Sequence, residues 1–458
     1  MPEVFFSPTD YRYAVEELTP YLSRDAVVKY EGKVEAALAK VLANRGVISK
    51  KAAEEIGQAA SKLTFEEVAR EEEVTKHWSR GLANVMRTYV SDEAKPAVHM
   101  TATSFDIVDT ANALRYRDAT RDIIIPDMVK LEKSWLDIVR REANTPQIGR
   151  THGQWAEPLT FGFAMGWYAD RFGNRILKVK EAAENLVGKF SGAVGAYNAS
   201  SLFFDDPESF EREILNELDI KPPRVSTQIA PPEPTTDYLH SITTSFGVLN
   251  DFANSMRHLQ RSEIAEIGEP FEAKQVGSST MPKKRNPINF ENIQSLYKKA
   301  MPHMVTMYLD QTSEHQRDLT NSASQRYNVD PVDLFDFAVR RATRVSSKLR
   351  VDEENMRRNL DKAKKMAGDE ALYILLSHKG HPDAHEYVKQ LTLKAEATRK
   401  PLPEIVFEDT NLAPYLQKFT EKQLSVIKDP EQYAGIASRK AIKVANYWET
   451  RLKDEGLW

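Results

Sequence analysis

The segment 277–287 combines hydroxyl groups with positively charged side chains and could bind an anionic substrate. It reads GSSTMPKKRNP and lies between two stretches with helical patterning. Ser278 offers a hydroxyl group, and Lys284 and the arginine after it add positive charge. Asn286 is a favourable N-cap and Pro287 a favourable first residue for a following helix, whose N-terminus could bind a carboxylate or a phosphate. The plain alternative for such a segment is a solvated basic loop between helices.

The composition restricts the class of protein. The chain has 458 residues, with 63 Lys or Arg and 67 Asp or Glu, so the formal net charge is −4. This balance argues against a nucleic-acid-binding protein that works through a basic surface. The chain contains no cysteine, which excludes disulfides, thiol catalysis and cysteine-ligated metal centres. No apolar run reaches the roughly 18 residues of a membrane span and no signal peptide is recognisable, so we expect a soluble, cytoplasmic protein of several domains.

Long helices must position these side chains, because apolar residues recur every three or four positions through the middle of the chain. One stripe comprises Tyr238, Leu239, Ile242, Phe246, Leu249, Ala253, Met256 and Leu259, and another Met128, Leu131, Trp135, Ile138 and Val139. Long helices bury little apolar surface alone, so we expect them to pack along each other in an all-α fold.

Breaks in the helical pattern suggest three regions. Gly46 is a plausible C′ residue after a helix over Val27 to Asn44. Five prolines between Lys221 and Thr236 predict an irregular crossover there. We expect an N-terminal helical domain over 1–110, a central long-helix bundle over 111–350 and a C-terminal helical domain over 351–458.

Three segments resemble the conserved regions of the fumarase/aspartase superfamily, whose members eliminate fumarate from succinyl compounds. The segment 277–287 closely resembles the signature GSSxMPxKxNP of this superfamily. Residues 101–106 with Asp109 resemble its first conserved region, and residues 149–154 (GRTHGQ) resemble the second. The three segments stand in the order that the family has. The resemblance implies an all-α, three-domain fold with a central long-helix bundle.

The resemblance also implies a role for individual side chains. Ser278 matches the serine that acts as the catalytic base, and His152 matches the histidine beside the leaving group. Lys284 and Asn286 match the positions that hold the substrate carboxylate. Glu291 matches the acid that pairs with the catalytic histidine, so the implied catalytic set is Ser278, His152, Glu291 and Lys284.

Within the superfamily, the chain most resembles the adenylosuccinate lyases. Residues 149–158 (GRTHGQWAEP) are nearer to these enzymes than to fumarases or argininosuccinate lyases. The resemblance implies a substrate-binding set of Arg12, Tyr13, Lys76, His77, His99, Thr103, Ser104, Thr151, Gln228, Arg285, Asn286, Arg317, Ser322 and Arg326. Such enzymes split adenylosuccinate into AMP and fumarate, and SAICAR into AICAR and fumarate.

β-Elimination explains why these residue types are needed. The proton to be removed lies next to a carboxylate, so the carbanion is a doubly charged aci-carboxylate that needs positive charge and hydrogen-bond donors around it. Lys284, Asn286, Thr103 and Ser104 supply such groups. A serine hydroxyl is a poor base unless its alkoxide is stabilised, and the leaving nitrogen needs a proton that His152 can hold near neutral pH.

The resemblance implies the partners as well. Family members need no metal and no cofactor, and they act on a small-molecule substrate with no nucleic acid or membrane partner. They form homotetramers in which each active site combines the three conserved regions from different chains. The long apolar stripes of the central helices suit such an assembly.

Several positions depart from the family pattern, and they leave other functions open. The departures are Trp78 for an aspartate, Trp155 for a histidine, Pro232-Glu233 for Arg-Asp, and Gln316 and Gln325 for glutamates. The alternatives are another lyase of the superfamily, such as an argininosuccinate lyase or a carboxymuconate cycloisomerase, and a non-catalytic structural protein on the same fold. The cations at Arg12, Arg317 and Arg326 favour a phosphorylated substrate, and the intact Ser278 argues against a non-catalytic protein.

Overall fold

Helices make up most of the protein, which confirms the predicted all-α class. The computed structural model describes residues 12–271, 280–281, 283–365 and 367–458. The helices of the first half are α1 (Thr19–Leu22), α2 (Arg24–Asn44), α3 (Lys50–Ala60), α4 (Phe65–Thr75), α5 (Trp78–Thr88), α6 (Ser104–Ala119), α7 (Ile125–Arg141), α8 (Phe161–Glu184), α9 (Pro207–Glu217) and α10 (Glu233–Leu259). Those of the second half are α11 (Ile288–Ala300), α12 (His303–Leu309), α13 (Val329–Ser346), α14 (Glu353–Lys364), α15 (Asp369–His378), α16 (Ala384–Thr398), α17 (Leu402–Glu408), α18 (Ala413–Leu416), α19 (Glu421–Lys428) and α20 (Ala437–Asp454).

Two short antiparallel strand pairs accompany the helices. Strands β1 (Pro146–Thr151) and β2 (Gln154–Thr160) form a hairpin, and β3 (Ile267–Gly268) pairs with β4 (Arg350–Val351). The all-α prediction included no strands, so the hairpin was not predicted. A hairpin of this length contributes too few alternating residues for its period of two to stand out.

The chain divides into two compact units. The first comprises the described residues of Met1–Met128, Asn174–Gly247 and Ser295–Arg340. The second comprises those of Val129–Gly173, Val248–Gln294 and Arg341–Trp458. The three expected domains stay a prediction.

The core of the first unit contains stacked aromatic side chains from several helices. Phe246 on α10 packs edge to face on Tyr297 of α11, with ring centroids 5.5 Å apart, and on Phe335 of α13 at 5.8 Å. Tyr238 lies 5.8 Å from the Tyr116 ring of α6. These contacts bury the α10 stripe that the sequence predicts, since Tyr238 and Phe246 are both fully buried.

The core of the second unit is built around Trp135 on α7. Its ring lies 5.2 Å from Phe172 of α8 and 4.6 Å from Phe252 of α10, and its indole N–H donates to the Ser346 hydroxyl at 3.0 Å. Phe252 in turn contacts Phe290 of α11. The whole α7 stripe of Met128, Leu131, Trp135, Ile138 and Val139 is buried, as predicted.

The predicted breaks in the helices are mostly correct. Gly46 follows α2 with a positive φ of 75°, which confirms it as the C′ residue. The crossover is irregular from Lys221 to Pro232, but α10 already begins at Glu233, so the prediction is wrong for its last four residues. A proline is tolerated in the first turn of a helix, where its missing N–H has no intrahelical partner, and Pro234 occupies such a position.

Helix α8 offers a matched pair of glycines that tests this packing. A Cβ added at Gly173 would overlap the ring of Trp448, whereas at Gly166 the nearest atom, Cγ1 of Val444, would be 4.0 Å away. We expect Gly173→Ala to lower the free energy of unfolding by about 1–3 kcal/mol through overpacking. Gly166→Ala should raise it by about 0.5–1 kcal/mol because alanine favours the helix. Urea unfolding of both variants measures the difference, and equal effects would contradict the packing described.

Candidate active site

His152 stands at the tip of the β1–β2 hairpin. Thr151 pairs with Gln154, so His152 and Gly153 form a two-residue turn. Their φ angles are 53° and 75°, as a type I′ turn requires at both positions. The turn exposes the His152 ring, and Thr151 beside it is exposed as well. The His-Gly dipeptide is the local signal that could have predicted this turn, because glycine adopts positive φ without strain.

A buried carboxylate fixes the root of this hairpin. Glu266, which precedes β3, is fully buried, and both of its carboxylate oxygens accept hydrogen bonds. Gln147 and Arg150 of β1 donate to it, with Gln147 Nε2 at 2.8 Å and Arg150 Nη2 at 2.5 Å. Asn359 of α14 adds a bond of 3.0 Å. Glu266 thus joins the hairpin to β3 and to the C-terminal part of the chain.

The signature segment is described only in part. Ser278, the predicted base, and its neighbours Gly277 and Ser279 lie outside the described residues. Lys284 is exposed, and its backbone N–H donates to the Met281 carbonyl at 3.0 Å. Arg285 is also exposed, and its guanidinium lies 3.6 Å from the centroid of the Phe271 ring. The segment therefore presents two cations immediately before helix α11.

Glu269, not Asn286, caps helix α11. The helix begins at Ile288, one residue later than predicted, and Glu291 N–H donates to the Pro287 carbonyl at 2.9 Å. The Glu269 carboxylate accepts from the backbone N–H groups of Asn289 and Phe290, each at 2.9 Å. It also accepts from the Asn289 amide at 2.7 Å. A carboxylate satisfies the free N–H groups at the start of a helix and is stabilised by the positive end of the helix dipole, so Glu269 stabilises the first turn of α11.

The predicted pairing of His152 with Glu291 is not made within the part of the chain that the structure describes. No hydrogen bond or ion pair joins the two side chains there, and both residues are exposed. The pairing stays a prediction.

His77 and Lys76 lie at the junction of α4 and α5 in the first unit. Lys76 ends α4 with a positive φ of 54°, and His77 is the N-cap of α5. The His77 Nδ1 accepts a hydrogen bond from the Arg80 backbone N–H at 3.2 Å. A ring nitrogen that accepts this bond is unprotonated, so Nε2 carries the proton of the neutral ring. Both side chains are exposed.

The first conserved region begins α6. Thr103 is the N-cap and Ser104 the first residue of this helix, and both are partly buried. The Thr103 N–H donates to the Asp106 carboxylate at 2.8 Å, and Lys189, which is fully buried, pairs with the same carboxylate. Burial raises the pKa of Asp106, whereas the charge of Lys189 lowers it. The buried pair fixes the backbone that presents Thr103 and Ser104.

His99 precedes this helix and contacts a second buried acid. Its Nδ1 lies 2.5 Å from Oε1 of Glu35, which is on α2 and 1% exposed. Both His99 and Thr101 have positive φ, of 62° and 70°. Non-glycine residues adopt this conformation at a cost, and such strain is common at functional sites.

Arg317 contacts the first conserved region. Its guanidinium lies 3.9 Å from the centroid of the Phe105 ring, and Nε and Nη2 have no hydrogen-bond partner among the described residues. Burial lowers the pKa of Arg317, and the nearby Asp109 raises it. The Gln228 backbone N–H donates to the Gln316 carbonyl at 3.3 Å, so the crossover and the Arg317 loop are adjacent. These contacts place Phe105 and the Gln228 backbone near Arg317 and its loop, and the binding roles that the resemblance implies for Gln228 and Arg317 stay a prediction.

Of the remaining predicted binding residues of the first unit, Arg12 and Arg326 are exposed, and Tyr13 and Ser322 are partly buried. Arg326 is exposed, and its guanidinium donates to the backbone carbonyl of Ser322. Arg12 is exposed, while the Tyr13 ring packs edge to face on Phe337 with centroids 5.3 Å apart. Each of these arginines could bind an oxyanion from solvent.

A small cavity of about 60 Å³ lies beside Asp109 and is lined by two residues that depart from the family pattern. Pro232 and Gln325 both line it, with Tyr116. Burial raises the pKa of Asp109 to about 6, and a hydrogen bond from the Ala230 N–H opposes this shift. The cavity is adjacent to the first conserved region, so these departures change the surroundings of that region.

The acids that hold the site segments were not predicted from the sequence. Glu35, Glu266 and Glu269 are far from their partners along the chain, so no local pattern indicated them. The sequence also left the role of Trp78 open. The Trp78 indole N–H donates to both oxygens of the buried Glu31, at 3.0 and 2.8 Å, so this departure satisfies a buried carboxylate.

The described residues contain no cluster of three or more His, Asp or Glu side chains that could hold a metal ion. Over the same ranges, no helix has the length and hydropathy to span a membrane.

Comparison with known proteins gives a consistent picture. The family described as Lyase matches residues 8–301, and the family described as Adenylosuccinate lyase C-terminal matches residues 313–433. The chain is 33% identical to an adenylosuccinate lyase of Archaeoglobus fulgidus over 97% of this chain and 99% of the relative. It is 30% identical to an N-acetyl-S-(2-succino)cysteine lyase of Enterococcus italicus over 96% of each. Its fold is similar to the crystal structure of a fumarate lyase from Mesorhizobium sp. BNC1, with a TM-score of 0.83 and 23% identity over 95% of this chain and 98% of that one.

Removing the charge of Glu266 tests whether it fixes the histidine hairpin. We expect Glu266→Gln to lower the free energy of unfolding by about 3–5 kcal/mol, because Arg150 would lose its buried partner. The control, Glu263→Gln, changes an exposed acid three residues earlier and should stay within about 0.5 kcal/mol of the wild type. Urea unfolding gives the energies, and amide exchange over 146–160 should accelerate only in the first variant. Wild-type stability and exchange in Glu266→Gln would refute the proposed anchor.

Proposed function

The chain belongs to the lyase family that matches residues 8–301, and on this premise we propose that it is an adenylosuccinate lyase that eliminates fumarate from adenylosuccinate to give AMP. The same elimination would convert SAICAR into AICAR. The observation that carries this proposal is the complete set of three conserved segments in a chain that matches an adenylosuccinate lyase over almost its whole length.

In the proposed elimination, Ser278 and His152 each transfer one proton. Ser278, as the alkoxide, takes a proton from the succinyl carbon next to a carboxylate. The electrons of that C–H bond form the new carbon–carbon double bond, and the C–N bond breaks. His152 gives a proton to the departing nitrogen, so that fumarate and a neutral amine leave. Exposure of His152 at the tip of a tight turn suits this role, because the ring can reach a substrate without rearrangement of the backbone.

Positive charge around the reacting carbon would stabilise the aci-carboxylate. Lys284 and Arg285 are exposed just before α11 and would supply this charge. Arg317 lies beside the first conserved region, and its Nε and Nη2 groups have no hydrogen-bond partner among the described residues. Thr103 and Ser104 add hydroxyl donors. We propose that these groups bind the succinyl carboxylates and the phosphate.

A thioether-cleaving activity is the second candidate. It is favoured by the similarity to the N-acetyl-S-(2-succino)cysteine lyase and by the two departures, Pro232 and Gln325, that line one cavity beside Asp109. Both substrates carry the succinyl group from which fumarate forms, so the same base and cations would serve. A thiolate is a better leaving group than an amide-like nitrogen, so this reaction would depend less on proton donation by His152.

Direct assay distinguishes the two activities. We expect the protein to release fumarate from adenylosuccinate with a higher kcat/KM than from N-acetyl-S-(2-succino)cysteine. Ser278→Ala should lower kcat by a factor on the order of 10²–10⁴, because it removes the general base. Lys284→Ala should lower kcat/KM by about 10²–10³, whereas Lys283→Ala, which removes the adjacent cation, should stay near the wild type. Absence of fumarate at high enzyme concentration would rule out the proposal, and near-normal turnover by Ser278→Ala would remove that base assignment.

We further propose a cytoplasmic homotetramer whose active sites combine the three conserved segments from different chains. Val305 and Leu309, one turn apart on α12, are more than half exposed, and neighbouring exposed apolar groups commonly mark subunit interfaces.

Complementation tests this arrangement. We expect sedimentation to give the mass of four chains. Mixing inactive Ser278→Ala and His152→Gln proteins, with subunit exchange, should restore part of the wild-type turnover, because some sites then receive both intact groups. A monomer, or no restoration after proven exchange, would contradict shared sites.

A further inference from the structure

Glu35 and His99 form a buried acid–imidazole pair in the first unit. Oε1 of Glu35 lies 2.5 Å from His99 Nδ1, and the two residues are 64 positions apart in the sequence. The Glu35 side chain is 1% exposed and the His99 side chain is 21% exposed. The carboxylate thus lies in the interior, and the ring extends from it towards the surface.

The geometry fixes which ring nitrogen is available. Nδ1 is occupied by Glu35, and the second Glu35 oxygen, Oε2, has no hydrogen-bond partner among the described residues. Nε2 of His99 therefore remains as the donor that can face a ligand. The backbone holds this orientation at a cost, since His99 has a positive φ of 62°.

Charges from three helices surround the His99 ring. Glu35 on α2 and Asp106 on α6 are acidic, and Arg87 on α5 is basic. Asp106 is itself paired with Lys189, so its influence on the ring is reduced. Burial lowers the pKa of His99, but the charge and hydrogen bond of Glu35 outweigh it, and the pKa lies above its ordinary value. The imidazolium form therefore persists to higher pH than in free histidine and is lost as the pH rises through the raised pKa.

Glu31 provides an internal comparison on the same helix. It lies one turn before Glu35 on α2, is 2% exposed, and accepts from the Trp78 indole rather than from a histidine. Burial raises the pKa of Glu31 to about 7. The two acids share one helix face and a similar environment, but only Glu35 contacts an imidazole.

We propose that Glu35 is a positioning residue that holds His99 as an imidazolium, so that its Nε2–H binds an oxyanion of the substrate. The inference rests on the proposed function for the identity of that substrate, which carries both carboxylates and a phosphate. A fixed, charged donor binds an oxyanion more strongly than a neutral imidazole, because a charge-assisted hydrogen bond is about twice as strong as a neutral one. Glu35 acts only through His99 and does not touch the substrate.

The protonation of His99 can be measured without any turnover. Exchange of the imidazole C2 hydrogen, followed by mass spectrometry against pH, gives the pKa of single histidines. Trypsin releases residues 88–115, in which His99 is the only histidine. We expect a pKa above the ordinary value in the wild type, a lower pKa in Glu35→Gln, and a wild-type value in Glu31→Gln. An unshifted or lowered pKa in the wild-type protein would overturn the proposal, even if Glu35→Gln does not fold.

Kinetics then tests the role of the charge. We expect Glu35→Gln to raise KM for adenylosuccinate about tenfold at pH 8 and less at pH 6, with kcat within about threefold of the wild type. Glu35→Asp, which keeps the charge, should recover part of the loss. In a His99→Asn background, Glu35→Gln should have little further effect. A loss that is independent of pH, or equal in Glu31→Gln, would indicate a structural role only and would refute the proposal.

Product inhibition separates the two possible oxyanions. If the inhibition constant of fumarate alone is higher in Glu35→Gln than in the wild type at pH 8, His99 binds a carboxylate. If the inhibition constant of AMP alone is higher, His99 binds the phosphate. An unchanged constant for both would overturn the binding role. If the wild type shows no adenylosuccinate turnover, the proposed function fails, and the exchange measurement still decides whether Glu35 charges His99.

Discussion

A carboxylate that is removed from water must be paired, hydrogen-bonded or protonated, and this constraint governs how the functional segments are held. Glu266 receives hydrogen bonds from β1 and α14 and fixes the hairpin that carries His152. Asp106 pairs with Lys189 and holds Thr103. Glu269 caps α11, the helix that follows the signature segment. Glu132 has no hydrogen-bond partner among the described residues, and burial raises its pKa well above the ordinary value, which favours the neutral acid.

These anchors allow turns that would otherwise be costly. His152 and His99 both have positive φ, and Lys76 has it just before His77. Such conformations cost on the order of 1–3 kcal/mol each and persist only where the surroundings impose them. The helices with their aromatic clusters supply rigid surroundings, and the buried acids connect the turns to them. His99 and His152 are thus presented from short turns that buried acids anchor.

The departures from the family pattern are also compatible with the requirement that buried carboxylates have partners. Trp78 stands beside His77, yet its indole turns towards Glu31 and supplies the hydrogen bonds that this buried acid requires. Pro232 and Gln325 meet at one cavity near Asp109, which keeps a hydrogen bond from Ala230. The changes therefore alter the surroundings of the first conserved region and leave the anchoring acids of the site in place.

The sequence by itself determined the all-α class, the buried faces of α7 and α10, the end of α2 and the family. These features depend on residues that are close along the chain, since a period of 3.6 residues, a glycine after a helix and a short motif are all local signals. Only the tertiary structure decided that His152 lies on a hairpin and that Glu269 rather than Asn286 caps α11. It also decided which acid serves which segment, because Glu35 is 64 residues from His99 and Glu266 is 116 residues from Arg150. Pairings over such distances arise from the packing of helices, and a buried acid looks the same in the sequence as a solvated one until that packing is known.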